Sequence, residues 1–562
     1  MIKTRLISSL EKVMLGNDIS DFAPMKRVSA LRGERLSVQL IHTYVYQAGI
    51  GSGVINRVPA TLTVEGELSA FTTLRDVGNV PVERPVLQGV PADEDYISFH
   101  AGLFPDLLRP LHYGNTVICT PDALFSVWVT VEIPESLAAG IYELTLRLDG
   151  GEGNLAEEHL SVEVIDAVLP GESIYLTQWF HCDCLASYYH VEMWSERHWE
   201  IIENFARTAV KNGINMLLTP VFTPPLDTAV GGERPTAQLV GVTKTGETYT
   251  FDFSLLDRWI EMCDRIGVQY FEIAHFFTQW GAEHAPKIMA TVDGEYKRIF
   301  GWDTDATGDE YTTFLQSFLT EFLAHMKKNG NDKRCFFHVS DEPREKHLES
   351  YRAARAVVSE LLKDYTIMDA LSNYVFWKDG VVSTPIPSNK HIAPFIEGRV
   401  PNLWTYYCCS ETQKVSNRLI AMPSWRNRSI GFQMYKYDIV GFLQWGYNFY
   451  YNRQSGDLIN PYLQQDGDAW VPAGDAFSVY PAPNGEALES LRIAVFYDAL
   501  QDMRAMRLCE QYCGKDAVVA VIDEEIGTDV TFDTCAKNAA QILKIRERVN
   551  EMLRQAVKTN TK

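Results

Sequence analysis

Residues 334–343 read Arg334-Cys335-Phe336-Phe337-His338-Val339-Ser340-Asp341-Glu342-Pro343. Phe336, Phe337 and Val339 form a short apolar run of strand-prone residues, too short for a helix and stopped by Pro343. Directly after it Leu348, Tyr351, Ala354, Val358, Leu361 and Leu362 recur at steps of three and four, the stripe of an amphipathic helix. Asp341 and Glu342 therefore fall where a buried strand ends and a helix begins. In alternating strand–helix folds that edge carries the catalytic groups, and two neighbouring carboxyls there suggest acid–base chemistry. With 73 acidic residues in 562, adjacent acid pairs also arise by chance, as at Asp93-Glu94, Asp309-Glu310 and Asp523-Glu524. Position sets Asp341-Glu342 apart from these, although a strand-to-helix turn also uses Asp simply as an N-cap.

Outward from this stretch, residues 172 to 450 alternate strand with helix. The pattern predicts strands at Ile174–Cys182, Ile214–Val221, Val268–Phe276, Cys335–Ser340, Thr366–Leu371, His391–Ile396, Asn402–Cys409 and Gly441–Asn448. Between them, Trp199, Ile202, Phe205 and Ala209 line one helix, Leu255, Trp259, Met262 and Ile266 a second, and Phe314, Phe318, Phe322 and Met326 a third; such stripes are core faces. Eight strands in about 280 residues match a (β/α)8 barrel of the TIM type. Residues 1 to about 168 instead read as short alternating strands with Gly, Pro, Asp and Asn between them, such as Phe125–Ile133 followed by Tyr142–Leu148, which favours a β-sandwich. Beyond a loop at 451–485, Leu488, Leu491, Val495, Leu500, Met503 and Met506 mark a long helix, and another runs from about Lys537 to Val557. The expected architecture is multidomain α/β: a sandwich over 1–170, the barrel over 171–485, and a helical region over 486–562 packed on the barrel.

Composition narrows the function classes. Hydrophobic residues at 46% and charged residues at 22% describe a globular protein able to bury a core. A net charge of −22 argues against nucleic acid and against an anionic membrane surface as partners. The ten cysteines form no CxxC pair. Cys182 and Cys184 alternate on what reads as a strand, and no second cluster accompanies His181-Cys182-Asp183-Cys184, so no metal is expected. The absence of an apolar leader or an 18-residue apolar run makes the cytoplasm the expected location. No Gly-rich nucleotide loop and no Gly-x-Ser-x-Gly elbow is present, so no cofactor and no serine hydrolase are expected.

If the barrel is right, its mouth collects Trp179, His181 and Asp183 from the first strand, His275 from the third, Asp341 and Glu342 from the fourth, and Asn373 and Trp377 after the fifth. Tyr406 or Tyr407 comes from the seventh, since neighbours alternate, and Trp445, Tyr447 and Asn448 from the eighth. Each has a plainer reading as barrel packing. Together, rings, amides and a carboxylate pair suit an uncharged polyhydroxylated ligand.

The Ser340-Asp341-Glu342-Pro343 strand end, the β-sandwich ahead of the barrel, and Val440-Gly-Phe-Leu-Gln-Trp-Gly-Tyr-Asn448 together resemble glycoside hydrolase family 123. So does the tail from Glu489-Ser-Leu-Arg492 to Asp498-Ala-Leu-Gln-Asp502. The resemblance implies a retaining exo-glycosidase that releases terminal β-linked N-acetylgalactosamine with help from the substrate's own 2-acetamido group. It implies that Asp341 orients that group and Glu342 is the acid and base. Two other readings stay open: a glycosidase of another specificity with a separate nucleophile such as Glu272 or Asp183, and a carbohydrate-binding protein without catalysis.

Overall fold

The computed structural model describes residues 1–45, 57–111, 114–150 and 153–560. The chain opens with two five-stranded sheets. The first orders Ile2–Ser8, Arg35–Tyr44, Phe125–Glu132, Thr72–Val82 and Gly102–Pro110; the second orders Arg27–Arg32, Gly153–Val168, Gly140–Gly150, Val58–Glu65 and Thr116–Cys119. Strand periodicity sets what they share. Val127, Val129 and Val131 of one sheet meet Leu144, Leu146, Leu148, Leu160 and Val162 of the other in one buried cluster, each residue two along from the last.

The rest of the chain is built on a parallel eight-stranded sheet that curls almost into a barrel. Its spatial order is Thr384–Ile386, Thr366–Ala370, Cys335–Phe337, Tyr270–Ile273, Met216–Thr219, Tyr175–Gln178, Gly441–Gln444 and Trp404–Tyr406. The two outer strands share no ladder among the described residues; a Ser388–Tyr406 bridge joins them, where Tyr406 N–H and Thr405 Oγ1 donate to Pro387 O at 3.1 and 3.0 Å. Met216, Leu218, Phe336, Met368, Trp404 and Leu443 fill the interior. Helices cover the outside with the stripes read from the sequence. Glu196–Lys211 starts where Ser195 accepts from His198 N–H, and Ser254–Ile266 ends at Gly267, whose φ of 92° few other residues would adopt.

Two sequence expectations are corrected, and one sheet is added to them. The sixth strand is not His391–Ile396, which instead forms part of a helical turn followed by the helix Ala393–Glu397 with Pro394 in its first turn. It is Thr384–Ile386, masked by Pro385 and Pro387, which a strand at the poorly paired edge tolerates. Cys182 and Cys184 do not alternate on a strand: the first strand stops at Gln178 and Cys182–Tyr189 is helical. A four-stranded sheet in the loops after the second and third barrel strands (Gly241–Thr245, Thr248–Asp252, Ile288–Val292, Glu295–Phe300) had no counterpart in the sequence reading, although Asp293-Gly294, both at positive φ, is a hairpin signal.

Helices Leu491–Cys513, Lys515–Ile526 and Ala539–Asn560 close the chain. Charge pairs tie the two ends together. Arg492, 1% exposed, donates twice to Asp106 of the first sheet at 2.9 Å, and Tyr480 Oη donates to the same carboxylate at 2.5 Å. Arg546 pairs with Glu34 at 2.6 Å, and Lys12 Nζ donates to Ile420 O and Met422 O at 2.6 and 2.7 Å. Burial pushes that ammonium down to about 7. All ten cysteines are free thiols. Among the described residues no helix is long and apolar enough to cross a membrane.

Candidate active site

The fourth barrel strand ends at Phe337, and five residues later the backbone turns sharply. Glu342 has φ 41°, in the left-handed region that costs a side-chain-bearing residue of order 1 kcal/mol. Its N–H donates to Ala370 O of the fifth strand at 2.9 Å, and the Trp280 N–H donates to Asp341 O at 2.9 Å. Pinned from both sides, the turn breaks the alternation that would send neighbouring side chains to opposite faces. Asp341 and Glu342 consequently line one cavity of about 200 Å³.

Rings wall that cavity: Trp179, Trp280, Tyr406, Trp445 and Trp470, with Asp227 as a third carboxylate. The two members of the pair are held differently. Glu342 Oε1 accepts from Tyr406 Oη at 2.6 Å, whereas the Asp341 carboxylate has no hydrogen-bond donor among the described residues. Burial raises the pKa of both. The Glu342 and Asp227 charges push Asp341 further up, and His338 opposes them. Tyr406, by donating, favours the Glu342 carboxylate. Burial carries Asp227 up to about 7 against the pull of Arg234. Both Asp227 (φ 50°) and Trp280 (φ 61°) share the left-handed backbone of Glu342, so three cavity residues stand in strained conformations.

Beneath the cavity runs a buried chain of charges. Glu272 accepts from Trp179 Nε1 at 2.7 Å and from the Thr177 hydroxyl, and it faces His338 Nε2 at 2.7 Å. His338 Nδ1 faces Asp369 at 3.2 Å, and Asp369 also accepts from the Tyr351 hydroxyl and the Val339 N–H. Burial works against a charge on His338, but hydrogen bonds to Asp369 and Glu272 carry it up to about 9, so it is an imidazolium at neutral pH. The chain fixes the Trp179 indole against the cavity.

His275 stacks on His338 with ring centroids 4.1 Å apart, and neither of its nitrogens has a hydrogen-bond partner among the described residues. Burial and the His338 charge hold it neutral. His275, His338 and Asp369 bring one ligand atom each within 4.8 Å of one another, a group of metal-binding dimensions. An imidazolium with carboxylates at both nitrogens has no lone pair to give a cation, and the hydrogen bonds account for the arrangement.

The other sequence candidates divide between cavity and frame. Trp179, Tyr406 and Trp445 line the cavity, and Trp445 Nε1 donates to Asp475 at 2.9 Å. Asn373 lies in an adjoining open cleft that also borders Glu342 and Tyr406. Trp377 packs on Tyr374. His181, Tyr447 and Asn448 serve the frame: His181 Nε2 meets Trp445 O at 2.9 Å, Asn448 Oδ1 accepts from the His181 N–H at 2.8 Å, and Tyr447 Oη donates to Phe205 O at 2.8 Å. Asp183 is locked to Arg234 at 2.8 Å, both almost fully buried. Asp227, Trp280 and Trp470 were not anticipated; all three lie in loops, and their only sequence signal is a Trp or Asp shortly after a strand or in the long 451–485 segment.

Three carboxylates lining a ring-walled cavity at the carboxyl edge of such a sheet are the equipment of a glycoside hydrolase. Comparison with known proteins narrows the class. The family model described as "Glycoside hydrolase 123, catalytic domain" matches residues 179–509. The chain belongs to glycoside hydrolase family 123. No protein of curated function matches its sequence. Among solved structures it is similar over 100% of both chains to a family 123 glycoside hydrolase from Clostridium perfringens, described for glycolipid glycan hydrolysis, with TM-score 0.75 and 15% identity. A family 39 glycoside hydrolase from Bacteroides cellulosilyticus aligns over 87% of this chain and 82% of its own, with TM-score 0.32 and 8% identity.

Proposed function

We propose that the protein is a retaining exo-glycosidase that releases terminal β-linked N-acetylgalactosamine by substrate-assisted catalysis. The observation that carries this reading is the unequal treatment of the acid pair: Glu342 has a protein donor, while Asp341 faces the cavity with none. The missing donor is what a 2-acetamido N–H supplies. Accepting that N–H, Asp341 would hold the acetamido oxygen against C1 and stabilise the positive charge that develops as the C1–O bond forms. The same bond favours the Asp341 anion, which leaves the proton of the coupled pair on Glu342.

Glu342 then protonates the departing glycosidic oxygen as the oxazolinium ring closes. In the second half it takes a proton from the water that attacks C1 and reopens the ring, so two inversions give net retention. A cavity of about 200 Å³, below the usual range for drug-sized ligands, suits one terminal sugar and so an exo mode of attack. We read the nearly closed sheet as a TIM-type barrel forming the catalytic unit over about 171–485, with the site at its carboxyl edge. The nucleophiles of the rival mechanism are poorly placed to react: Glu272 is saturated by Trp179, Thr177 and His338, and Asp183 by Arg234.

The test is release of p-nitrophenol from paired aryl β-glycosides. Turnover of the N-acetylgalactosaminide but not of the galactoside is expected, and Glu342→Gln is expected to abolish hydrolysis of a disaccharide or alkyl glycoside of the same sugar, whose leaving group needs the acid. Cleavage of the plain galactoside at a comparable rate would refute substrate assistance.

A further inference from the structure

The ring-walled cavity also carries two thiols that the proposed reaction does not use. Cys408 and Cys409, neighbours in the chain, both line it, and the Cys408 thiol is hydrogen-bonded to that of Cys409. On a strand such neighbours would point to opposite faces. The seventh barrel strand has already ended at Tyr406, however, and Cys408 opens a tight turn. Its carbonyl accepts from the Glu411 N–H at 3.2 Å and from Asn417 Nδ2 at 2.8 Å, and its own N–H donates to Glu411 Oε2 at 2.9 Å. The turn brings both sulfurs together two residues beyond the tyrosine that donates to Glu342.

The two thiols are not equivalent. Cys408 is buried, whereas Cys409 is half-buried and is the one that meets solvent. The Cys409 thiol, burial, and the charges of Glu411 and Glu342 push the Cys408 thiol well up, which makes it a poor first nucleophile. A disulfide carries no charge and escapes that penalty. Neighbouring Cα atoms stand about 3.8 Å apart across a trans peptide, short of the usual disulfide range that begins at about 4.4 Å. A disulfide closed between neighbours is therefore strained and easily reduced, as labile disulfides are.

We infer that Cys408 and Cys409 form a site of reversible oxidation, at which hydrogen peroxide closes a disulfide between them in the cavity wall. The Cys409 sulfur attacks one peroxide oxygen, the O–O bond breaks, water leaves, and a sulfenic acid remains. The Cys408 sulfur then attacks the Cys409 sulfur; the S–S bond forms and the S–O bond breaks with loss of a second water. The thiols give up two electrons and two protons, and peroxide takes them. Drawing the sulfurs into bonding distance twists the turn that Glu411 and Asn417 brace, and displaces the chain beside Tyr406 and Glu342. That displacement switches turnover off, a consequence that rests on the proposed role of Glu342; the disulfide itself does not.

The experiment treats the full chain, reduced and then freed of reductant, with a small excess of hydrogen peroxide. Unreduced tryptic peptides are mapped by mass spectrometry, and kcat/KM is read on an alkyl N-acetylgalactosaminide. The peptide from Val400 to Lys414 should lose two hydrogens, and kcat/KM should fall about tenfold or more, with a phosphine reductant restoring both. In Cys409→Ser the rate before and after peroxide should be the same, whatever its starting value; Cys409→Ala gives the same comparison if the serine disturbs the turn. Oxidation confined to other cysteines, or a sulfinic acid at either residue in place of the disulfide, overturns the site. A disulfide that forms and leaves kcat/KM unaltered overturns the switch. A reduced enzyme that leaves the glycoside intact overturns the proposed function and the switch with it, while the peptide map still decides the disulfide.

Discussion

Replacing Tyr406 by Phe removes a single oxygen, the one that donates to Glu342 Oε1 at 2.6 Å. A net hydrogen bond to an ionised group contributes about 1.5–3 kcal/mol, and one to a neutral group about 0.5–1.5 kcal/mol. The difference, roughly 1–1.5 kcal/mol, is what Tyr406 gives the Glu342 carboxylate over the protonated acid. At about 1.36 kcal/mol per pH unit its loss raises the Glu342 pKa by roughly one unit. Glu342 must carry its proton to act as the acid, so its ionisation sets the alkaline limb of kcat/KM, and that limb moves about one unit to higher pH in the variant. The assay needs a disaccharide or alkyl glycoside, because a nitrophenolate departs without protonation and hides the acid. An alkaline limb that stays in place, or moves to lower pH, would refute both the role of Glu342 and the direction of the Tyr406 bond.

Asp341→Asn keeps the shape but loses the charge opposite the developing oxazolinium, so kcat on the N-acetyl sugar falls about 100- to 1,000-fold with little change in KM, read by steady-state kinetics. Asp227→Asn tests the third carboxylate through stability. Its pKa is raised to about 7, so the native state holds a proton that the unfolded chain releases near 4, and wild-type stability relative to the variant is lost as pH rises through that window. The variant should match wild type below pH 4 and exceed it by about 1–2 kcal/mol at pH 8 in urea unfolding, a figure discounted because the side chain faces the cavity. Arg234→Met leaves Asp183 as a lone buried anion and should cost about 3–5 kcal/mol in the same assay, with part recovered in the double variant Arg234→Met/Asp183→Leu.

The acid pair and the scaffold beneath it were legible because they obey local rules. Phe336, Phe337 and Val339 with Pro343 spell a short buried strand and its end, and the helical stripes have the period of one buried face. The cavity walls were not legible, because strand alternation stops where the strands stop. The eighth strand ends at Gln444, and three residues later Tyr447 points outward to Phe205 of the covering helix although Trp445, two positions before it, lines the cavity. Tyr406 and Tyr407 lie at a true strand end, and there alternation does sort them: one meets Glu342, the other Asn427 at 3.3 Å. Asp227 and Trp280 reach the cavity on loops bent through left-handed residues, a conformation that neither composition nor period announces. The Thr384–Ile386 edge strand was hidden for the opposite reason, since Pro385 within it and Pro387 after it argue against the structure that its neighbour imposes.

Arg492 and Asp106 have a bearing on how such an enzyme can change over time. Accessory regions that are traded between enzymes are joined through surfaces that part without leaving ions stranded in a core. Here the helix Leu491–Cys513 meets the first sheet through a fully buried ion pair, reinforced by Tyr480, by Arg546 with Glu34, and by the Lys12 ammonium capping carbonyls between the seventh and eighth barrel strands. Excising the β-rich region would take Asp106 from Arg492 and leave its guanidinium only the Gly474 and Phe477 carbonyls as partners. Exchange of the amino-terminal third would therefore break buried ion pairs, whereas changes in the loops around the cavity would not.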